Sequence, residues 1–320
     1  MAQLAQMAAP LLVLKIDVDT YRGTLEGVPN LVRMLTRHAA GATFLFSLGP
    51  DHTGWAMRRA LRPGFFQKVS RTSVLEHYGF KTLMYGVLLP GPDIGATTAQ
   101  EMRAAQEAGF EVGIHTWDHV RWQDAVRQRD AGWTGRMMAQ SEARHAQVFG
   151  KPPHTHGAAG WQMNEHAFAR HDTMGYRYAS DGRAMLNEDG ALADRDAGPY
   201  RLRGLRHIQM PTTLPTLDEL LGREIGGRVI DNDNIAAHLL KLTLENRRDH
   251  VYTLHAELEG QKLAPIFEQL LSGWKAQGYQ LASMADYYEK IKHAALPEYP
   301  LQWGELPGRS GELIVLDTQA

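Results

Sequence analysis

The residues best suited to chemistry in this sequence are carboxylates and imidazoles at the ends of short apolar runs. Asp17 and Asp19 lie two residues apart at the end of a run that begins at Leu11. Because strand side chains alternate between two faces, both carboxylates share a face with Lys15. Neighbouring carboxylates repel each other unless a cation lies between them or one of them is protonated. The Asp-x-Asp pattern therefore indicates a cation site, although alone it is equally consistent with a turn or a helix cap.

Two histidines follow another apolar run. His115 ends a strand-like segment that starts at Phe110, and His119 comes four residues later. If the chain turns helical at this point, the two imidazoles lie on the same side. Two imidazoles and a carboxylate suit Zn²⁺ or a similar divalent ion, and they leave coordination positions open for water and substrate. A single His-x-x-x-His spacing is often accidental, but here a carboxylate pair at another strand end accompanies it.

A third motif closes a later run, in which Tyr252 and Leu254 alternate with Thr253 and His255. The alternation places His255 on the polar face of this strand. A histidine titrates near neutral pH and is a suitable general acid for a leaving amine. Alone, the motif is equally consistent with a hydrogen-bonded structural histidine.

Strand-like apolar runs alternate with amphipathic, helix-like stretches along the chain. The predicted strands are Leu11–Val18, Ala42–Ser47, Phe110–His115, Arg177–Asp181, Leu205–Met210, Val251–His255 and Tyr279–Ala282. The predicted helices are Val28–Ala39, Ala99–Ala108, Gly135–Phe149, Asn164–His171, Ile235–Arg247, Pro265–Gln277 and Met284–His293. This order predicts βαβ units around a parallel sheet, and the unbroken composition predicts one barrel-like α/β domain. In such a barrel, polar residues at the strand ends meet at the carboxyl-terminal mouth.

Two segments interrupt this alternation. Residues 51–92 contain six Lys or Arg against two acidic residues, together with many aromatic side chains. Basic and aromatic side chains of this kind suit an anionic membrane surface, and a folded subdomain with a solvated basic face is the alternative. The membrane-contact candidates are Trp55, Arg58, Arg59, Arg62, Phe65 and Phe66. We therefore expect a catalytic domain at 11–293 with an insertion at 51–92, followed by a tail at 294–320.

The overall composition excludes several classes of protein. The 320 residues include 43% hydrophobic and 22% charged residues, which are the values of a globular protein. A net charge of -2 disfavours a general nucleic-acid binder, and the absence of cysteine excludes disulfides and thiolate metal sites. No apolar run approaches the roughly 20 residues of a membrane-spanning helix. The first 14 residues carry no basic residue ahead of their apolar run, so we expect a cytoplasmic protein.

The three motifs, in this order, resemble those of the polysaccharide deacetylase superfamily (NodB-homology, carbohydrate esterase family 4). The resemblance implies a distorted (β/α)7-type barrel with an inserted segment after the second strand. It also implies that Asp17 is the catalytic base and His255 the acid. Asp19, His115 and His119 would then hold one divalent metal ion, with Zn, Co, Mn and Ni as candidates.

Longer strings are similar to those of a deformylase family within that superfamily. They are Ile16–Thr24, Ser47–Asp51, His115–His119, Ala158–Trp161, Leu214–Glu219 and Thr253–Gly260. This resemblance implies a formamido-arabinose substrate linked to polyprenyl phosphate, with an amino-sugar lipid and formate as products. It further implies a role in lipid A modification and polymyxin resistance, and peripheral association with the inner face of the cytoplasmic membrane. It implies no protein partner.

One motif of the superfamily is missing. Its members usually carry an Arg-x-Pro-x-Gly segment whose arginine orients the base, whereas this chain has the segment His156–Trp161. The superfamily pairs that arginine with an aspartate near Asp181. We hypothesise that Lys15, on the same strand face as Asp17, supplies the missing positive charge.

The remaining assignments concern the substrate. Arg22, Arg177 and Arg183 are candidates to hold the phosphate, and each is equally consistent with a scaffold ion pair. Trp161 is either a sugar-stacking platform or a core residue. Glu257 and Glu259 are candidates for binding sugar hydroxyls or the nascent ammonium. The competing functions are an N-deacetylase of chitooligosaccharide or peptidoglycan, a metal-free amidase, and a non-enzymatic carrier of polyprenyl-linked sugar.

Overall fold

A computed structural model describes residues 9–56 and 80–318 of the chain. The strands, β1 to β15 in chain order, are Leu11–Val18, Thr43–Ser47, Glu111–Thr116, Thr155–His156, Tyr178–Ala179, Arg183–Ala184, Tyr200–Leu202, Ile208–Gln209, Glu224–Ile225, Arg228–Val229, His250–His255, Gln280–Ala282, Glu298–Tyr299, Gln302–Gly304 and Leu313–Leu316. The helices, α1 to α11, are Val28–Arg37, Phe80–Met84, Ile94–Thr97, Ala99–Glu107, His119–Ala125, Ala131–Phe149, Glu165–Met174, Leu217–Leu220, Ile235–Glu245, Ala264–Ala276 and Met284–Ile291. Every predicted strand and helix is present, with ends shifted by a few residues.

The main sheet runs in the order β11-β1-β2-β3-β4-β5-β8-β7-β13, with β12 beside the first half of β1. All of these strand pairs are parallel except β7–β8. Beyond β8, the Thr213 N–H donates to the Val251 carbonyl at 2.9 Å, and the Val251 N–H donates to Thr213 Oγ1 at 2.9 Å. The segment after β8 therefore meets β11, and the sheet curves round like a barrel. The α/β architecture predicted from the sequence is confirmed.

Strand β1 lies at the centre of this arrangement and is buried along its whole length. Leu14 and Ile16 belong to the large outer core between sheet and helices. Val13 belongs to a separate core with Leu45 and Val251, from the neighbouring strands β2 and β11. The strand therefore has an outer and an inner apolar face, as its alternation predicts. Lys15 and Asp17 follow Val13 on the inner face.

The predicted insertion begins and ends beside the barrel mouth. Pro50 and Asp93 form a β-bridge at its base, and Trp55 Nε1 donates to the Gly86 carbonyl at 2.6 Å. Arg58, Arg59, Arg62, Phe65 and Phe66 lie outside the described residues. Among the helices that the structure describes, none has the length and apolar character required to cross a bilayer.

The residues after 293 contribute three strands to the fold. β13 pairs with β7, whereas β15 lies between β14 and β6. All four residues of β15 are buried in a third apolar cluster, distinct from the two around β1, and this cluster includes Trp161. The segment 294–318 therefore packs on the same side of the molecule as the Trp161 loop.

Candidate metal centre and active site

Three chain segments meet at the carboxyl end of β1. Asp17 is in β1, Asp19 follows β1, and His115 is the penultimate residue of β3. His119 is the first residue of α5, whose amino end is capped by Asp118: its Oδ1 accepts from the Arg121 N–H at 3.1 Å. The cap fixes where the helix starts, so it also fixes the position of His119.

Asp19 lies between the two imidazoles. His115 Nε2 is 3.2 Å from Asp19 Oδ1, and His119 Nε2 is 3.5 Å from Asp19 Oδ2. Two ligands of a tetrahedral zinc ion lie about 3.3 Å apart, given metal–ligand bonds of about 2.0–2.1 Å. The structure therefore brings the three predicted metal ligands together at the spacing that a single ion requires.

Other features of this cluster fit a divalent cation. Asp17 Oδ1 and Asp19 Oδ1 are buried and accept no hydrogen bond from the described residues, which is costly for carboxylates. His115 Nδ1 lies 2.7 Å from the Gly157 carbonyl and must donate to it, so Nε2 is the nitrogen that faces Asp19 and could bind a cation. The buried, under-partnered oxygens and the Asp-His-His donor set both match a metal centre.

Charges within the cluster shift two pKa values in opposite directions. Burial by itself raises the pKa of Asp19, but His119 and His115 lower it well below its usual range. Burial opposes protonation of His115, yet Asp17 and Asp19 raise the pKa of its imidazole. Asp19 is thus ionised, and a cation that binds it displaces any proton held by the imidazoles.

Lys15 and Asp17 form a buried ion pair. Lys15 Nζ is 2.5 Å from Asp17 Oδ2, and both side chains are almost completely buried. Gly157 leaves room for the lysine, because a Cβ at that position would lie 2.7 Å from Lys15 Cε. The segment that lacks the superfamily arginine is therefore also the segment that accommodates Lys15.

His255 lies opposite Asp17 in the β1–β11 register. Its Nδ1 is buried without a hydrogen-bond partner and lies 4.0 Å from Asp218 Oδ1. Asp218 belongs to α8 and also lies 3.5 Å from Arg309. Asp218 was not among the predicted site residues, although it lies in the string Leu214–Glu219.

Glu257 and Glu259 support the main chain of the site. Glu257 Oε1 accepts from the N–H of Asp19 at 3.1 Å and from the N–H and hydroxyl of Thr20 at 2.8 Å each. Glu259 accepts from the His255 N–H at 2.9 Å and the Tyr252 hydroxyl at 3.0 Å. Burial raises the pKa of Glu259 to about 7, and burial with the nearby Asp19 raises the pKa of Glu257. Both were predicted to bind sugar hydroxyls or the nascent ammonium; the hydrogen bonds that the structure shows are to the protein, and Glu257 Oε2 has no partner among the described residues.

Two other substrate candidates are enclosed by the fold. Arg183 is fully buried, pairs with both carboxylate oxygens of Glu219, and lies 4.6 Å from the centre of the Trp161 ring. Arg309 lies 4.5 Å from the same ring, which is only 2% exposed. Trp161 is therefore a core residue covered by guanidinium groups, and the expectation of a sugar-stacking platform is not supported by its position. Arg183 has no exposed surface for a phosphate.

The last candidates lie away from the cluster. Asp181 accepts hydrogen bonds from His156 at 2.6 Å and Gln209 at 2.9 Å, and it forms no ion pair with Lys15. Arg22 forms a partly exposed ion pair with Glu26 at 2.8 Å. Trp55 stacks on His52, whose Nδ1 is 2.7 Å from Asp118 Oδ2. The base of the insertion is therefore connected to the cap of the helix that carries His119.

Comparisons with known proteins identify relatives of this chain. No protein-family model matches the chain. The curated "Probable 4-deoxy-4-formamido-L-arabinose-phosphoundecaprenol deformylase ArnD" of Shewanella sediminis (strain HAW-EB3) is 35% identical over 306 residues, covering 94% of this chain and 92% of that protein. The protein of the same name from Wigglesworthia glossinidia brevipalpis is 29% identical over 290 residues, covering 90% of this chain and 96% of that protein.

Solved structures with a similar fold are more distant in sequence. A "putative polysaccharide deacetylase" from Mycobacterium smegmatis has a TM-score of 0.58 at 16% identity, covering 93% of this chain and 99% of that chain. A GH57 branching enzyme from Thermococcus kodakaraensis has a TM-score of 0.56 at 13% identity, covering 91% of this chain and 72% of that chain. At such low identity the likeness establishes a shared fold.

The support of Asp19 by Glu257 can be tested at Gly23. A Cβ at Gly23 would lie 1.9 Å from Glu257 Oε1, so Gly23→Ala must displace that carboxylate. We expect metal affinity, measured by competition with a chelator, to fall by roughly 10- to 100-fold, as for lost outer contacts of a metal ligand. Gly135→Ala is the control, since its Cβ would meet nothing within 4 Å. Unchanged affinity in Gly23→Ala would contradict the role given to Glu257.

Proposed function

The chain belongs to the 4-deoxy-4-formamido-L-arabinose-phosphoundecaprenol deformylase family, and on that premise we propose that it hydrolyses the formamide of this lipid-linked sugar. The observation that carries the proposal is the position of Asp17 and His255. They are register partners on the adjacent parallel strands β1 and β11, and Asp17 is two residues from Asp19 of the Asp19, His115 and His119 cluster. Hydrolysis of an amide requires such a base and acid on either side of the scissile carbon.

The reaction forms a carbon–oxygen bond and breaks a carbon–nitrogen bond. Asp17 accepts a proton from the attacking water through Oδ1, the oxygen that has no hydrogen-bond donor. Lys15 holds the other oxygen and keeps the carboxylate in one orientation. His255 donates a proton to the sugar nitrogen, because an amine anion is a poor leaving group. The products are formate and the 4-amino-4-deoxyarabinose lipid.

The donor set indicates the cofactor. Asp19, His115 and His119 would hold one divalent ion, and such an ion polarises a carbonyl and acidifies a water when bound. A carboxylate with two imidazoles is compatible with Zn, Co, Mn and Ni. Asp19 follows β1, and His115 and His119 lie four residues apart between β3 and α5; three protein ligands of this kind would leave a further position on the ion for water or substrate.

We further propose that the insertion meets the membrane in which a polyprenyl substrate resides. Val87 and Leu88 are 51% and 76% exposed, on the turn that Trp55 contacts through Gly86. The sequence adds Arg58, Arg59 and Arg62 to the same insertion. Apolar and basic side chains together favour an anionic bilayer surface, each basic residue by about 1 kcal/mol. Peripheral binding at the inner face of the cytoplasmic membrane would bring the barrel mouth to the sugar.

Formate release tests the reaction. The metal-loaded protein should release formate, followed by NMR, from the formamido-arabinose phospholipid faster than acetate from its N-acetyl analogue. Asp17→Asn should slow release by roughly 100- to 10,000-fold, the usual contribution of a general base. It should keep its metal, because Asp17 is not a proposed ligand. Faster acetate release would favour the glycan N-deacetylase alternative. Binding of the lipid-linked sugar without turnover would favour a non-enzymatic carrier.

Lys15→Met tests the ion pair with Asp17. We expect kcat to fall at least about tenfold, equivalent to about 1.4 kcal/mol in the barrier, because Asp17 loses the cation that orients it. Metal content should not change, and Lys15→Arg should retain more activity than Lys15→Met because it keeps the charge. A Lys15→Met enzyme with the parent kcat would refute this role.

Sedimentation with vesicles of phosphatidylethanolamine and phosphatidylglycerol tests the membrane proposal. The Val87→Ser/Leu88→Ser variant should bind at least about fivefold more weakly than the parent, because two apolar side chains leave the bilayer. Leu244→Ser is the matched control, since Leu244 is 63% exposed on α9. Added salt should weaken binding of all three proteins. Equal binding of the double variant and the parent would exclude this turn as the membrane contact.

A further inference from the structure

A second group of metal-ligating side chains lies in the interior, apart from the cluster around Asp19. It consists of His156 at the end of β4, His171 in α7 and Asp181 after β5. Each is at most 2% exposed, and one ligand atom from each lies within 4.8 Å of the others. None of the three has a part in the proposed hydrolysis.

The spacing of this group resembles that of the first cluster. His171 Nδ1 is 3.5 Å from Asp181 Oδ2, the same distance as between His119 Nε2 and Asp19 Oδ2. His156 Nδ1 is 2.6 Å from Asp181 Oδ1, which is a hydrogen-bond distance. Two ligands of one zinc ion require about 3.3 Å, so this pair would have to open by less than about 1 Å.

The surroundings contain several buried polar atoms that lack a hydrogen-bond partner among the described residues. Both ring nitrogens of His171 are in this position, as are the Tyr176 hydroxyl and the Ser180 hydroxyl. A buried unpaired polar group costs about 1–3 kcal/mol, so such a concentration in one place is unusual in a protein interior. A bond to a metal ion would give a His171 ring nitrogen a partner, which no described protein group provides.

His207 gives an independent indication. Its Nδ1 lies 2.9 Å from Asp172 Oδ1, which is a hydrogen-bond distance. With Nδ1 bonded to the carboxylate, Nε2 is the ring nitrogen that remains available to a ligand. That Nε2 is buried and unpartnered, and the ring centre is 5.3 Å from that of His171. A carboxylate that fixes a histidine in this way is typical of metal sites.

We propose that His156, His171 and Asp181 bind a second divalent cation of the class that includes Zn²⁺, with His207 nearby as a candidate further donor. Binding replaces the His156–Asp181 hydrogen bond, and the Nδ1 proton of His156 leaves to solvent. His171 would lose no hydrogen bond on coordination, because neither of its ring nitrogens has a partner among the described residues.

The role of this ion is structural. Its ligands are fully enclosed, and a catalytic zinc site keeps a position open to substrate. The elements that it would join are short, since β4 and β5 have two residues each. A cation bound between them would stabilise this region, because two-residue strands form few backbone hydrogen bonds.

Metal stoichiometry of the whole chain tests the proposal. The Asp19→Asn/His119→Gln variant removes two ligands of the first cluster, one of them in a partly exposed position. After expression with zinc and dialysis, elemental analysis should find two zinc ions in the parent and one in this variant. Adding His171→Gln should remove the remaining ion. A parent with one ion, or a double variant with none, would overturn the proposal.

Zinc X-ray absorption of the Asp19→Asn/His119→Gln variant keeps the test decisive if His171→Gln does not fold. The spectrum should show at least two imidazoles with an oxygen ligand at about 2.0–2.2 Å. Fewer than two imidazoles would show that the ion lies elsewhere and would refute the site. Neither readout depends on deformylation, so the site and the proposed reaction can fail separately.

Discussion

The arrangement of this protein depends on negative charge held inside an apolar barrel. Asp17 and Asp19 lie at the end of the central strand, and Glu257 is buried next to them. The negative charge of each carboxylate is compensated differently. Asp17 pairs with Lys15, and Asp19 lies against the imidazoles of His115 and His119. Glu257 accepts hydrogen bonds from main-chain N–H groups, and its pKa is raised. Carboxylates so placed must be paired or neutralised. The cation proposed there completes this balance and supplies the chemistry.

The turn after β11 supports both Asp19, a proposed metal ligand, and His255, the proposed general acid. Glu257 holds the main chain of Asp19, and Glu259 holds the main chain of His255. Both glutamate side chains come from the same short segment, so this segment positions the proposed metal ligand Asp19 and the proposed acid His255 together. Gly23 permits this, since only a residue without a side chain leaves space for the Glu257 carboxylate. The positions of Asp19 and His255 are therefore set in part by two buried carboxylates that bond to the main chain.

Sequence periodicity predicted the features that repeat locally. The alternation in β1 placed Lys15 and Asp17 on the inner face, and the spacing of His115 and His119 predicted their convergence. Contacts between distant segments have no such period, so the enclosure of Trp161 by Arg183 and Arg309 was not predicted. Strands of two residues, such as β4 and β5, show no alternation at all. The partnership of Asp181 with His156 was missed for the same reason.

The contact of Arg309 with Asp218 and Glu219 has a consequence for biosynthesis. Strand β15, a few residues further on, pairs with β6 in the middle of the chain. A nascent polypeptide in which β1, β3 and β11 have already assembled has Arg183 beside Glu219 but still lacks the Arg309 guanidinium beside Asp218 and Glu219. Maturation of the region around His255 must therefore wait until translation has passed residue 309.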